Sequence, residues 1–311
     1  MIDKSNCIEL HYFLESDKHE MDAFAINKCA LHSLNIISAI ANYLHVQIEI
    51  TTFPRAEGGI IEWLKIVKKQ EDKSAPITTE FIKYLAISVL TVSGYLGAKI
   101  IDYITSDSEL KDLQKEALKT YIREHQVDLS PIDDKVRKLR SNYYATLSET
   151  PNVEKIEISS YNETDDIVNK RIIDRSSFSA FLLLDDKLDP IEIENAIILI
   201  TAPVISKGKY NTWHGKYGDT YIDFKMCSNE FKTMVQSGDV TFKNGFSINC
   251  LLRVHRKLND TGEIIITKYE VIRVNSYFIA DKIYETKEGK KHKLKLEQDN
   301  APNLFTGLDG F

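Results

Sequence analysis

The sequence predicts an α+β protein in several parts: an N-terminal α/β head, a central helical section with one candidate transmembrane helix, and a C-terminal β-sandwich or barrel-like domain. Three observations carry this. Strand-like and helix-like segments alternate over the first 70 residues. A nearly uncharged stretch, IKYLAISVLTVSGYLGAKII (82–101), follows them. From about Val153 onward, short runs rich in β-branched and aromatic residues dominate. A chain of 311 residues has room for two or three cores.

In the head (1–70), IELHYFL (8–14) predicts a strand. Over 19–45, Met21, Phe24, Ala25, Cys29, Leu31, Leu34, Ile37, Ile40, Ala41 and Leu44 recur at helical spacing, with Asp17 or Ser16 as the cap. QIEITTF (47–53) predicts a second strand, and the β-α-β order suits a parallel pair joined by a right-handed crossover. PRAEGG breaks the pattern, and IIEWLKIVKK predicts a short helix.

The second part (71–106) opens with a polar linker, EDKSAP, after which Thr78 or Thr79 caps a helix from Phe81 to about Ile104. The third (107–150) holds the charged helix ELKDLQKEALKTYIREH, a stalk in a membrane oligomer or a solvated helix otherwise. A further helix is opened by Pro131. In the fourth (151–311), KIEISSY, FSAFLLL, AIILITA, TYIDFKM, SINCLLRVHRKL and EIIITKYEVIRV predict strands. Asn259-Asp260-Thr261-Gly262 joins the last two as a hairpin turn, NEFKTMVQSG (229–238) predicts one helix, and the tail beyond Glu297 reads as irregular.

Composition narrows the function classes. Apolar residues make up 43% and charged residues 28%, the balance of a folded protein rather than a disordered one. A net charge of −6 argues against wholesale binding to duplex nucleic acid, while leaving room for a local basic patch. Cys7, Cys29, Cys227 and Cys250 form no C-x-x-C pair, so neither a disulfide framework nor a metal site is expected. The first twenty residues lack the pattern of a signal peptide. No phosphate loop, G-x-S-x-G or H-E-x-x-H is present, and His19-Glu20 with Asp22 reads as acidic residues in a first helical turn. No enzyme, cofactor or metal is therefore expected.

The apolar segment is the most informative feature. Fifteen residues separate Lys83 from Lys99, about 24 Å of helix, and flanking apolar residues with snorkelling lysines extend that toward a bilayer core of roughly 30 Å. Tyr84, Ser88, Thr91, Tyr95 and Lys99 fall on one face and would line a pore in a ring of copies. Ser93 with Gly97, and Gly94 with Ala98, are small-residue pairs that let helices approach closely. The competing reading is a core helix of a water-soluble fold.

KGKYNTWHGKYGD (207–219) mixes cations, aromatics and glycines, a combination suited to a nucleotide or single strand. Lys209, Tyr210, Trp213, His214 and Lys216, together with Arg253 and Arg256, are the candidate ligand residues. KEGKKHKLK (287–295) is a further basic group. The alternative is an amphipathic hairpin with a buried Trp213 and exposed lysines.

The order of parts resembles that of membrane effectors in prokaryotic anti-phage defence, and IELHYFLESDKHEMDAFAINK with RAEGGIIEWLK resembles an uncharacterised bacterial family over most of the chain. The resemblance implies a homo-oligomeric channel or pore in the inner membrane, with lipid as partner. It also implies cytoplasmic soluble domains and gating by a nucleotide or oligonucleotide. The alternative expectation is a nucleotide- or nucleic-acid-binding module with no membrane insertion.

Overall fold

The computed structural model describes residues 3–15, 20–53, 60–69, 77–92, 116, 119–120, 130–205, 212–280 and 282–299. The chain is of mixed α+β class and divides into two compact units: Met1–Asp186 with Leu258–Glu263, and Lys187–Lys257 with Ile264–Phe311. This division differs from the expected one. The head, the apolar helix and the first strands after residue 150 share one core.

Unit 1 is built from β1 (Cys7–Leu14), α1 (Ala23–Tyr43), β2 (Ile48–Thr52), β3 (Ile60–Lys68), α2 (Thr79–Thr91), α3 (Ser130–Ser148), β4 (Val153–Tyr161) and β5 (Ile167–Asp174). A 3₁₀ turn at Arg175–Phe181 closes it. The sheet order is β2-β3-β1-β4-β5, and every neighbouring pair is antiparallel. β1 and β2 therefore run the same way, as the β-α-β order implies, but β3 lies between them. The result is a split β-α-β arrangement with β5 added at one edge.

Two segments differ from their sequence expectation. IIEWLKIVK forms strand β3, not a helix. It is an interior strand of the sheet, with Trp63, Leu64 and Ile66 all buried, and β-branched Ile60, Ile61, Ile66 and Val67 suit that place. FSAFLLL, expected as a strand, begins in the 3₁₀ turn, where Phe178 and Phe181 turn into the core beside Tyr144.

Helices α1, α2 and α3 pack on the sheet face that carries Ile8, Leu10, Tyr12, Leu64, Ile66, Ile156 and Ile158. Asp22 caps α1 by accepting from the Ala25 N–H at 2.9 Å. Ile26, Cys29, Ser33, Ile36, Ile37 and Ile40 form its buried stripe. Among described helices, α1 alone is long and apolar enough to cross a membrane by length and composition. Its stripe is taken up by the sheet.

Thr78 caps α2, accepting from the Phe81 N–H at 3.2 Å. From Phe81 to Thr91 every residue except Tyr84 is buried, as expected for a helix apolar on all sides. α3 closes its C-terminal end. Arg140 donates to the carbonyls of Val89 (3.2 Å) and Val92 (3.0 Å), and the Tyr144 hydroxyl donates to that of Leu90 (2.6 Å). These are the carbonyls that a helix end leaves without intrahelical partners.

Unit 2 comprises β6 (Lys187–Ala202), β7 (Thr212–Tyr217), β8 (Thr220–Met226), α4 (Asn229–Gln236), β9 (Ser247–Leu258), β10 (Ile264–Ile279), β11 (Lys282–Glu285) and α5 (Lys287–Asp299). Five strands close in the circular order β9-β6-β7-β8-β10, and β11 pairs with β10 outside the ring. β8 and β10 are parallel, with Phe224 opposite Tyr269. Numbered within the barrel the order is 1-2-3-5-4, with α4 between the third and fourth strands. This is a Greek-key barrel of the OB type.

Closure gives each strand an inner and an outer side. Ile222, Phe224 and Met226 of β8 point inward with Trp213 of β7, and Phe231 and Val235 of α4 join the same core. Gly215 is required at the wall, because a Cβ there would come within 2.7 Å of Ile198 Cγ2 and 2.8 Å of the Leu199 oxygen.

Candidate nucleic-acid interface

The parity of β7 and β8 decides which candidate residues reach solvent. Trp213, expected as a stacking platform, is 1% exposed and lies about 6 Å ring to ring from Phe224, Phe231 and Phe242. It is core. Its neighbours His214 and Lys216 point outward and are joined by Tyr221, Asp223 and Lys225 of β8.

The register sets these side chains in rows across the pair. Lys216 lies opposite Tyr221, His214 opposite Asp223, and Thr212 opposite Lys225. His214 Nδ1 is 2.6 Å from an Asp223 carboxylate oxygen, so this pair is largely self-satisfied. Lys216 reaches Asp219 at 3.3 Å, in the turn. Tyr221 is 76% exposed, and Lys225 has no ion-pair partner among the described residues. The surface thus offers one open aromatic ring with two lysines on the same strand pair. Such a ring stacks on a base and ammonium groups track phosphates.

Tyr221 and Lys225 were not singled out from the sequence, although the alternation in TYIDFKM contains the signal. Once Ile222, Phe224 and Met226 are assigned to the inside, the other side must face out.

Arg253 and Arg256 do not join this surface. Arg253 on β9 forks onto Glu192 of β6, with Nε at 2.9 Å and Nη2 at 2.6 Å from the same oxygen. Arg256 donates to the Asp189 carbonyl at 2.9 Å. Both guanidinium groups tie β9 to β6. Nearby, Lys268 and His255 hold Glu270, whose carboxyl is thereby lowered to about 2. Lys209 and Tyr210 lie outside the described residues.

Of the expected pore-lining set, Ser88 and Thr91 are each 8% exposed inside unit 1, and the Thr91 hydroxyl donates back to the Ile87 carbonyl. Tyr84 is half-buried beside the same core. Tyr95 and Lys99, and the packing residues Ser93, Gly94, Gly97 and Ala98, lie outside the described residues. Among described residues, no group of three His, Cys, Asp or Glu side chains is placed to hold a metal ion.

No protein-family model, curated protein or solved structure matches this chain.

Proposed function

We propose that the chain is a single-stranded nucleic-acid-binding module whose contact surface is the outer side of β7 and β8. The observation that carries this reading is Tyr221, a large ring left open to water on the third strand of an OB-type barrel, beside the second. In barrels of this type, that strand pair and its adjoining loops are the usual ligand surface. Lys216 lies directly across from the ring, and Lys225 stands on the same side of β8 beyond Asp223. The net charge of −6 favours a short contact with one strand over a duplex footprint of many phosphates.

The membrane-channel expectation ranks second. A lining role needs Ser88 and Thr91 at water, and both are buried against their own chain. Homo-oligomerisation, lipid contact and an inner-membrane location belong to that second reading.

The test is direct binding. Labelled single-stranded RNA and DNA of about 12 nucleotides, a length within the range of one such barrel, are titrated with the full chain and compared with a duplex of the same length. Saturable binding of a single strand, weakened by added salt and absent for the duplex, supports the proposal. No binding, or equal binding of the duplex, overturns it.

A further inference from the structure

We infer that unit 2 also holds a pocket for a single nucleobase that presents carbonyl oxygens, placed between α5 and the barrel wall. The inference deepens the nucleic-acid reading of unit 2 and rests on it. It concerns a different face, formed by β6, β9 and β10.

α5 is fixed at its first turn. Gly289 N–H donates to the Thr286 hydroxyl at 2.9 Å. The Glu230 carboxylate accepts from the N–H groups of Lys287 (2.7 Å) and Glu288 (2.9 Å). Gly289 lies so near β10 that a Cβ would sit 2.0 Å from the Asn275 oxygen. Beyond this close contact the helix does not pack down. Gly289, His292, Lys293 and Leu296 edge a cleft of about 440 Å³ over the barrel wall, and Leu296 remains 47% exposed. That volume falls within the roughly 300–1,000 Å³ of small-molecule sites.

Three asparagines on three neighbouring strands line the cleft: Asn249 of β9 and Asn275 of β10, both part-buried, and the exposed Asn195 of β6. Their amide orientations follow from one fixed donor. Arg273 has no acceptor atom, and its Nε donates to Asn275 Oδ1 at 2.8 Å, so the Asn275 NH₂ must point the other way. That NH₂ donates to Asn249 Oδ1 at 2.8 Å and Asn195 Oδ1 at 3.5 Å. With their oxygens committed, Asn195 and Asn249 are left with amide NH₂ groups that have no partner among the described residues.

Arg273 is itself held by Glu194, at 2.8 and 3.1 Å, so its charge is matched before a ligand arrives. The cleft therefore presents two uncommitted amide donors beside the Arg273–Glu194 pair, with Glu285 and Lys293 as one charge of each sign on its lining and aliphatic edges at Ile283 and Leu296. A flat, uncharged ring bearing carbonyl acceptors fits this chemistry. Uracil and guanine carry such oxygens, and adenine does not.

The experiment is calorimetric titration of the full chain with uridine, guanosine and adenosine. Uridine or guanosine should bind and adenosine should bind more weakly. Asn249→Asp keeps the oxygen that Asn275 needs but removes the free donor, and should weaken binding about tenfold. Leu296→Trp, at an exposed site on α5, should block the cleft while a thermal melt shows the fold retained. If none of the three nucleosides binds at millimolar concentration, the pocket is overturned. The same holds if adenosine binds as well as the others, or if both cleft variants leave affinity unaltered. Nucleoside binding that depends on Asn249, in a chain that fails to bind single strands, would keep the pocket and remove only the β7–β8 surface.

Discussion

The sheet face of unit 1 that carries Trp63 and Tyr161 and the outer face of β7–β8 in unit 2 have similar ingredients, aromatics among lysines on neighbouring strands, yet they use them differently. In unit 1 the groups satisfy one another. Lys4 Nζ sits 4.3 Å above the Trp63 ring and 5.0 Å from that of Tyr161, and the Tyr161 hydroxyl donates to Glu9 at 2.6 Å. Lys155 lies over Phe13 at 4.7 Å, and Lys170 pairs with Glu157 at 2.7 Å. On the barrel Tyr221 stands open and Lys225 is unpaired among the described residues. Composition alone does not make a binding surface. What matters is whether cations and rings are already spent on each other.

The same contrast separates the two cores. The core of unit 1 lies between a sheet and a helix layer, and α2 is sunk within it. That of unit 2 is enclosed by its own strands around Trp213. The largest expected effect tests this enclosure. Trp213→Ala should cost about 3–5 kcal/mol, seen as loss of hydrogen-exchange protection along β7 and β8. A surface role for Trp213 predicts almost no change in protection.

Next in size is Gly289→Ala, which sets a methyl group against the Asn275 backbone. Overpacking of this kind costs about 1–3 kcal/mol, and amide exchange in α5 should quicken while β1 and β3 keep their protection. Unchanged exchange in α5 would mean that the helix does not sit against β10.

The smallest effect is a pH slope in unit 1. Lys83 is 1% exposed, pairs with Glu80 at 2.8 Å, and donates to the Tyr161 carbonyl and to Asn6. Burial lowers its amine below the ordinary value, against the opposing pull of Glu80. The unfolded chain then holds the proton more tightly, so this group penalises folding while charged. The penalty fades as pH rises through the folded value toward the usual 10.5. Urea midpoints of wild type should therefore rise relative to Lys83→Met as pH increases above neutrality. A constant gap would show that burial does not perturb this amine.

How far the fold was legible follows the same logic. TYIDFKM and SINCLLRVHRKL coincide with β8 and β9 because alternation is strong where one side of a strand is enclosed. NEFKTMVQ forms the helix expected over 229–238, and the structure adds its cap, Ser228, which accepts from the Phe231 N–H. IIEWLKIVK was misread because Glu62, Trp63 and Leu64 are buried in succession, so this interior strand loses its alternation and resembles a buried helix. The apolar run before Thr91 was read as membrane-facing, since greasiness on all sides is shared by lipid-facing and deeply packed helices. The signals that separate them, Arg140 and Tyr144 on the terminal carbonyls, lie about fifty residues away in sequence. At the candidate site, His214 and Lys216 were found by composition. Tyr221 was missed because its importance depends on which side of β8 faces in.

The most direct measurement is fluorescence anisotropy of a labelled single strand titrated with wild type and Tyr221→Ala. Removing a stacking ring should cost about 1–3 kcal/mol, an affinity weaker by about five- to 150-fold with the thermal melt unchanged. Equal affinity for the two proteins would contradict the assignment of β7 and β8 as the nucleic-acid surface.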